Sequence, residues 1–149
     1  MFKCHLYKES AMSTMNDWNK AVIEEFRANA GKVGGHFANQ TLLLLHTTGA
    51  KSGQARINPV VYIRDGDHYV IFASKAGAPT NPDWYHNLVA NPIVEVEVGS
   101  EHFSARATVA AEPERTNLFN RIATASPGFA EYQRNTTRII PVVILKRLD

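Results

Sequence analysis

The sequence predicts an α+β fold, in which about six mainly antiparallel strands form a split β-barrel with an N-terminal helix and short helices between strands. Six short apolar segments of strand length recur between residues 41 and 145. The dipeptides Asp65-Gly66 and Gly99-Ser100 are tight-turn signals that join two pairs of these segments into hairpins. Helical periodicity appears before the strands and between them. Short antiparallel strands of this number bury their faces best in a closed or split barrel.

The composition indicates one globular domain. The chain has 149 residues, 44% hydrophobic and 20% charged, with a net charge of +2. That charge is too small to favour nucleic acid as a partner. No apolar run reaches about 18 residues, no signal-peptide core is present, and Cys4 is the single cysteine, so we expect a cytoplasmic protein. We expect residues 1–14 to be a disordered extension and residues 15–149 to form the domain.

The first helix is predicted from Asn16 to Asn29. Trp18, Val22 and Phe26 recur every four residues and share one face, and Gly31 follows the helix. The charges on its polar face are mixed, which favours packing against the barrel. Peripheral contact with a membrane surface stays open as the alternative.

The first three strands follow. The run Thr41–Thr47 is continuously apolar and suits a strand buried on both sides. The next strand covers Ile57–Arg64 and places Pro59 at an edge or bulge, because proline cannot donate a ladder hydrogen bond. Asp65-Gly66 joins it to a strand spanning residues 68–75. A short helix over residues 82–91 comes next, with Pro82 in its first turn.

The second half alternates strands and helices. Residues 93–109 form a hairpin with valines 94, 96 and 98 facing inward and glutamates 95 and 97 outward. An amphipathic helix is predicted over residues 113–124. After the break Ser126-Pro127-Gly128-Phe129 we expect a helical piece around Tyr132, and a last strand over residues 139–145.

The turn between the first two strands, TTGAKSGQARINP (residues 47–59), is the most informative segment. Two glycines let backbone N–H groups approach an anion, and hydroxyl and amide side chains add donors. Lys51 and Arg56 could neutralise phosphate or carboxylate groups. An ordinary hairpin with solvated cations is the alternative. The phosphate-binding pattern GxxxxGK[ST] is absent.

Other chemistry-bearing patterns are weaker. The segment ASKAGA (residues 73–78) ends a strand and opens into a glycine-containing loop, a common place for ligand contact, although Lys75 could simply be exposed. Trp84 is more often core than ligand platform. The six histidines are scattered without an HxxxH pair or a cysteine partner, so no metal site is predicted. The GxSxG motif that is typical of serine hydrolases is absent.

From about Asn16 to its end the chain resembles the deazaflavin-dependent nitroreductase family, within the flavin-reductase-like split-barrel superfamily. The resemblance lies in FRANAGKVGG, LLLLHTTGAKSGQARINPVVY, DGDHYVIFASKAGAPTNPDWYHNL, ANPIVEVEVG and the terminal FAEYQ and TTRIIPVVIL. These segments cover about nine tenths of the chain in the family's order. The paired motifs TTGxKSGxxRxxP and ASKxGAPxNPxWYHNL are highly specific.

The resemblance implies that the chain binds coenzyme F-420, a deazaflavin whose phospholactyl-oligoglutamate tail is polyanionic. It places the tail and its phosphate at Lys51, Ser52, Gln54, Arg56, Asn58 and Pro59. It places the deazaflavin ring at Ala73, Ser74, Lys75, Ala76 and Gly77, with Trp84 and Tyr85 in the segment that closes over the ring.

The resemblance also implies the chemistry, which is hydride transfer to a quinone, nitro compound or activated alkene. A hydroxyl donor, Tyr132 or Ser74, would stabilise the negative charge that develops on the acceptor. Ser126 and Phe129 stand where the best-known member carries tyrosine. The resemblance therefore implies the cofactor, but it does not imply that the chain reduces nitroimidazoles. An FMN-dependent reductase, or a carrier that binds F-420 without turnover, are the alternatives. Either a monomer or a homodimer is expected.

Overall fold

The computed structural model describes residues 19–34 and 41–148. The predicted extension over residues 1–14, and Trp18 on the first helix, lie outside this part. Helix α1 is described over residues 19–28. The later elements are β1 Leu42–Thr48, β2 Ala55–Asp65, β3 His68–Phe72, a short 3-10 helix Lys75–Gly77, α2 Asp83–Ala90, β4 Ile93–Val98, β5 Glu101–Val109, α3 Glu114–Ala125, α4 Gly128–Arg134 and β6 Val142–Arg147.

The six strands close into an antiparallel barrel in the order β1-β2-β3-β6-β5-β4, which confirms the predicted fold class. The barrel is split along β2. Its residues 55–61 pair with β1, whereas only residues 62–65 pair with β3. Among the described residues, no strand pairs with the other edge of residues 55–61, and Pro59 lies in this stretch. The barrel is therefore open at that edge, which is where the sequence placed the proline.

Helix α1 covers the outside of β1. Val22 and Phe26 pack against Leu42 and Leu44, and Phe26 is fully buried. Leu43 and Leu45 point into the barrel on the other face of the strand. The predicted burial of this strand on both sides is confirmed, and a buried phenylalanine contributes about 2–3 kcal/mol. The described apolar face of α1 is thus occupied by the barrel.

Helices α3 and α4 cover a second outer face of the barrel, against β3 and β6. Phe72 of β3 meets Phe119 of α3 and Phe129 of α4 edge to face, with ring centroids 6.2 and 5.8 Å apart. Ile122 completes this buried cluster from α3. Because α4 follows α3 after a short break, Tyr132 is carried to the open edge of the barrel.

Several predicted boundaries shift. The last strand begins at Val142 instead of residue 139, because Pro141 interrupts the ladder, and Ile139 is 68% exposed. Strand β3 ends at Phe72, three residues before Lys75, whose backbone is left-handed. Helix α4 begins at Gly128, so Phe129 belongs to a helix and not to the break. Within the described ranges, no helix has the length and apolar character needed to cross a membrane.

Candidate functional site

A cavity of about 310 Å³ opens at the split edge, between β2, the end of β3, α2 and α4. Four aromatic side chains contribute to its wall, and backbone from the loop after β3 contributes a polar side. We call it the aromatic cavity. Its lining residues are Asn58, Pro59, Val60, Val61, Phe72, Ser74, Lys75, Ala76, Pro82, Trp84, Phe129 and Tyr132.

The aromatic wall is rigid because its members also belong to the core. Phe129 is 5% exposed and lies between Phe72 and Tyr132, with its ring centroid 5.3 Å from that of Tyr132. Trp84 is 7% exposed, packs in the barrel core and still reaches the cavity. The interpretation of Trp84 as a core residue is confirmed, and its contact with a ligand stays a prediction.

The polar side of the aromatic cavity is an unusual piece of backbone. Ser74 is right-handed, whereas Lys75 and Ala76 have φ values of 46° and 54°. A right-handed residue followed by a left-handed one directs successive N–H groups into one concavity that suits an anion or carbonyl oxygen. Throughout the described chain, the N–H groups of Ser74, Lys75 and Ala76 donate no hydrogen bond. Three amides of this wall are thus available to a ligand.

Gly77 fixes the distance between this loop and α4. Its φ is 80°, and a Cβ added there would lie 2.9 Å from the backbone oxygen of Tyr132. No side chain can be accommodated without moving α4. Gly77 does not line the cavity, but it lets the loop and the helix that carries Tyr132 approach each other.

A second cavity of about 550 Å³, the basic groove, lies at the turn between β1 and β2. It is lined by Gly49, Ala50, Lys51, Ser52, Arg56, Asp83, His86 and Asn87. Gly49 donates to the carbonyl of Gln54 at 2.7 Å, and Gly53 donates back to Gly49 at 2.9 Å. The turn is therefore closed by its own backbone, and its two cations remain exposed on the surface.

Asn87 ties this turn to α2. It is 7% exposed; its Oδ1 accepts the N–H of Ala50 at 2.9 Å, and its Nδ2 donates to Thr47 Oγ1 at 3.2 Å. A buried amide whose donor and acceptor are both satisfied specifies one geometry. The basic groove is consequently built from two elements held in fixed relation.

The two cavities lie next to each other, because β2 and α2 contribute residues to both. Arg56 of the basic groove and Asn58 of the aromatic cavity are two residues apart on β2, so their side chains share a face about 7 Å apart. On α2, Pro82 and Trp84 line one cavity while Asp83 and His86 line the other. A single elongated ligand can therefore occupy both.

The structure brings most residues predicted from sequence to this site. Lys51, Ser52 and Arg56 line the basic groove, and Gln54 Oε1 accepts a hydrogen bond from Arg56 at 3.1 Å. The aromatic cavity includes seven more of the predicted residues: Asn58, Pro59, Ser74, Lys75, Ala76, Trp84 and Tyr132. Four line neither cavity: Gln54, Ala73, Gly77 and Tyr85. The binding roles of all the predicted residues, inside and outside the cavities, stay predictions.

Sequence reasoning missed several lining residues. Phe72 and Phe129 were not proposed as lining because apolar residues in regular elements are indistinguishable from core by pattern. His86 and Asn87 follow the predicted motif residues on α2, and their helical spacing from Asp83 was the signal that could have found them. In the described ranges, no group of three or more His, Cys, Asp or Glu side chains could hold a metal ion.

Proteins that are similar to this chain in sequence indicate its family. Residues 18–147 match the family described as F420H(2)-dependent quinone reductase. An F420H(2)-dependent quinone reductase of Mycobacterium tuberculosis is 42% identical over 126 residues, 82% of this chain and 85% of the relative.

Two solved structures are similar to this chain in both sequence and fold. The structure titled F420-H2 Dependent Reductase (FDR-A) is 39% identical, covers 70% of this chain and 93% of its own, and has a TM-score of 0.65. A structure titled domain-swapped dimer is 34% identical, covers 88% of this chain and 98% of its own, and has a TM-score of 0.67. The resemblance noted from the sequence motifs is confirmed: the chain belongs to the F420H(2)-dependent quinone reductase family.

Proposed function

We propose that this F-420-dependent reductase binds the deazaflavin ring in the aromatic cavity and the coenzyme tail in the basic groove, and reduces a quinone. The observation that carries the assignment is that β2 and α2 each contribute residues to both cavities, which places the cavities next to each other. A ligand with a flat aromatic end and a polyanionic end matches that arrangement, whereas a compact ligand would leave one cavity unused.

The residues fit the coenzyme. The unpaired amides of Ser74, Lys75 and Ala76 can donate to carbonyl oxygens at the edge of a deazaflavin ring. Lys51 and Arg56 lie exposed in the groove and can pair with phosphate and carboxylate groups of the tail. Asp83 also lines the groove and would repel a carboxylate on its side, so the tail should lie nearer the turn than α2.

Bound coenzyme F-420 supplies the hydride, and the protein positions the acceptor and manages charge and proton. Tyr132 lines the same cavity as the amide-bearing loop and is suited to donate a hydrogen bond to an acceptor oxygen. Ser74, 9% exposed and also at the wall, is the second candidate donor. No residue has to form a covalent bond.

A quinone is the acceptor class we favour. Phe129, Phe72 and Tyr132 form an edge-to-face aromatic wall against which a flat ring can pack. A quinone carries two carbonyl oxygens, and on reduction negative charge develops on an oxygen that a hydroxyl can protonate. The family description and the mycobacterial relative, both named for quinone reduction, support the same choice.

The decisive experiment is a comparison of cofactor affinities. We expect coenzyme F-420 to bind at least about tenfold more tightly than FMN, equivalent to 1.4 kcal/mol, because FMN has one phosphate and cannot fill the basic groove. Fluorescence titration with both cofactors measures this, and the absorption spectrum of the purified protein shows which one it retains. Equal affinity would favour an FMN-dependent reductase.

A carrier that binds F-420 without turnover is separated by kinetics. The enzyme should oxidise reduced F-420 in the presence of a panel of quinones, nitro compounds and activated alkenes, with quinones fastest. Tight binding without turnover on any acceptor would indicate the carrier.

Location and assembly are further proposals. We propose a cytoplasmic homodimer; the relative titled domain-swapped dimer supports the assembly. Burial of Val22 and Phe26 against the barrel speaks for α1 as a packing helix and against membrane contact through its described face. Light scattering after size-exclusion chromatography and flotation with lipid vesicles test the two points.

A further inference from the structure

The loop after β3 stores backbone strain at the aromatic cavity. Lys75 and Ala76, neither of them glycine, adopt left-handed φ values, and Gly77 follows at 80°. A non-glycine residue in this region is strained, and the conformation persists only where surrounding contacts over-determine it. The described structure therefore has to contain contacts that hold the loop in this shape.

Arg138, in the connection between α4 and β6, supplies those contacts. Its Nε donates to the carbonyl of Ala78 at 2.9 Å, and its Nη2 donates to that of Ser74 at 2.8 Å. Its Nη1 donates both to the carbonyl of Ala73 at 3.1 Å and to Asn81 Oδ1 at 2.7 Å. The four acceptors lie on both sides of the left-handed residues, so one guanidinium fixes the ends of the loop.

Arg138 is itself held from behind. Gln133 of α4 donates from Nε2 to the carbonyl of Arg138 at 2.7 Å. Arg115 of α3 donates to Gln133 Oε1 at 2.8 Å and to the carbonyl of Ile140 at 2.9 Å. The hydrogen bonds run without interruption from α3 through α4 to the loop, and they couple the loop to the helix that carries Tyr132.

The bonds of Arg138 fall on particular peptide units. The Ala73 carbonyl shares a peptide with the Ser74 N–H, and the Ser74 carbonyl shares one with the Lys75 N–H. These are two of the three cavity amides that have no partner among the described residues. A charged donor on the oxygen of a peptide polarises the whole unit and strengthens its N–H as a donor. Burial lowers the pKa of Arg138, and its four acceptors are all neutral, so none of them offsets the effect of its charge on these peptides.

We propose that Arg138 is a positioning residue for the cofactor, which orients and polarises the Ser74 and Lys75 amides toward the deazaflavin ring. The inference rests on the proposed placement of the ring in the aromatic cavity. Arg138 does not line that cavity and acts through the loop. Lysine cannot replace it, because a single ammonium cannot reach four acceptors in a planar fork.

The test compares Arg138→Gln, Arg138→Lys and the control Arg106→Gln, which removes an exposed arginine on β5. Each protein is titrated with complete coenzyme F-420 and with a tail-less deazaflavin riboside, at a temperature where circular dichroism shows it folded. Both Arg138 variants should bind the two ligands at least tenfold more weakly, by the same factor for each. The absorption maximum of the bound deazaflavin should shift as well. Arg106→Gln should change neither value.

A merely structural role would lower the melting temperature of the Arg138 variants but leave both affinities and the bound spectrum unchanged, and that result would overturn the proposal. Weaker binding of the complete coenzyme alone would also overturn it, because the effect would then belong to the tail. If the Arg138 variants do not fold, Asn81→Ala, which removes a single acceptor of Arg138, is titrated with the same two ligands. Its affinity for each should fall threefold or more. Failure of the wild-type protein to bind F-420 would instead refute the proposed function.

Discussion

Tyr132 is the residue at which acceptor chemistry can be separated from cofactor binding. If its hydroxyl acts on developing charge, Tyr132→Phe should lower kcat and kcat/KM together by about tenfold or more and leave F-420 affinity unchanged. The aromatic packing on Phe129 survives in the variant, so stability should hold. Steady-state kinetics with the best quinone, beside an F-420 titration, measure both quantities.

Tyr69→Phe is the matched control, because it removes another hydroxyl, the one bonded to Arg64 at 3.1 Å, from a residue that does not line the site. Its turnover should equal that of wild type. Full turnover of Tyr132→Phe would leave Ser74 as the candidate donor and reduce Tyr132 to a wall residue.

Lys51 and Arg56 carry the prediction for the tail. Replacing either with Ala should weaken F-420 binding by about 1–3 kcal/mol, the range for a charge-assisted hydrogen bond. Thermal stability should barely change, since both side chains are exposed. The titration is repeated at high salt, where the difference from wild type should shrink, and Arg106→Ala serves as the unaffected control. Variants that bind F-420 as wild type does would make the turn an ordinary hairpin.

At the scale of single residues, sequence motifs identified residues that line the two cavities more readily than residues that hold the lining in place. Lys51 and Arg56 are recognisable because charges flank a glycine turn. Asn87 and Arg138 make their hydrogen bonds to residues 37 to 65 positions away, and that separation has no local signature. Their roles exist only once the barrel has brought the partners together.

Among the elements, the contact between the 3-10 helix and α4 is the most sensitive to a small change. Gly77→Ala should destabilise the protein and lower turnover, because its Cβ would lie 2.9 Å from the Tyr132 carbonyl oxygen and push α4 away. Gly66→Ala is the control: its φ is also left-handed, at 60°, and nothing lies within 4 Å of an added Cβ.

Both variants lose about 1 kcal/mol to the left-handed backbone, and Gly77→Ala should lose at least about 1–3 kcal/mol more. Urea denaturation gives the two free energies of unfolding, and quinone reduction gives the two activities. Equal destabilisation of the two variants would show that α4 can move away from the added methyl group without a further loss in the free energy of unfolding.

Element boundaries were predicted where local chemistry decides them. The hairpin of β4 and β5 appears as expected, since alternating valines and a glycine turn at Gly99 leave few options. The start of β6 was wrong by three residues because an apolar run masked the effect of Pro141. The 3-10 helix Lys75–Gly77 was not predicted, because its left-handed residues are maintained by Arg138 and not by local preference.

On the scale of the whole molecule, the attachment of α1 to the barrel predicts a dependence of stability on pH. Arg27 donates two hydrogen bonds to Glu97 of β4, at 3.0 and 2.7 Å, and His46 of β1 lies 2.6 Å from the same carboxylate. These partners, Arg27 foremost, lower the pKa of Glu97 to about 2 against the opposing effect of burial.

A carboxylate with a lowered pKa in the folded state stabilises fully above its unfolded value, about 4.5, and the contribution is lost as the pH falls toward 2. At pH 6, Glu97→Gln should therefore be less stable than wild type by about 1–3 kcal/mol. The gap should close between pH 4.5 and 2. Urea denaturation of both proteins across this range measures it, and a gap independent of pH would assign the effect to packing.

The split in the barrel has a consequence for solubility. Tyr62 donates its N–H to Thr41 on the β1 side, so by alternation Pro59 faces the open side of β2. A free strand edge is a template for pairing with a strand of another chain. Proline has no N–H to offer there, so an incoming strand meets a gap in the donor series where the aromatic cavity begins. The opening where we propose that the ligand binds is in this way poorly suited to aggregation through strand addition.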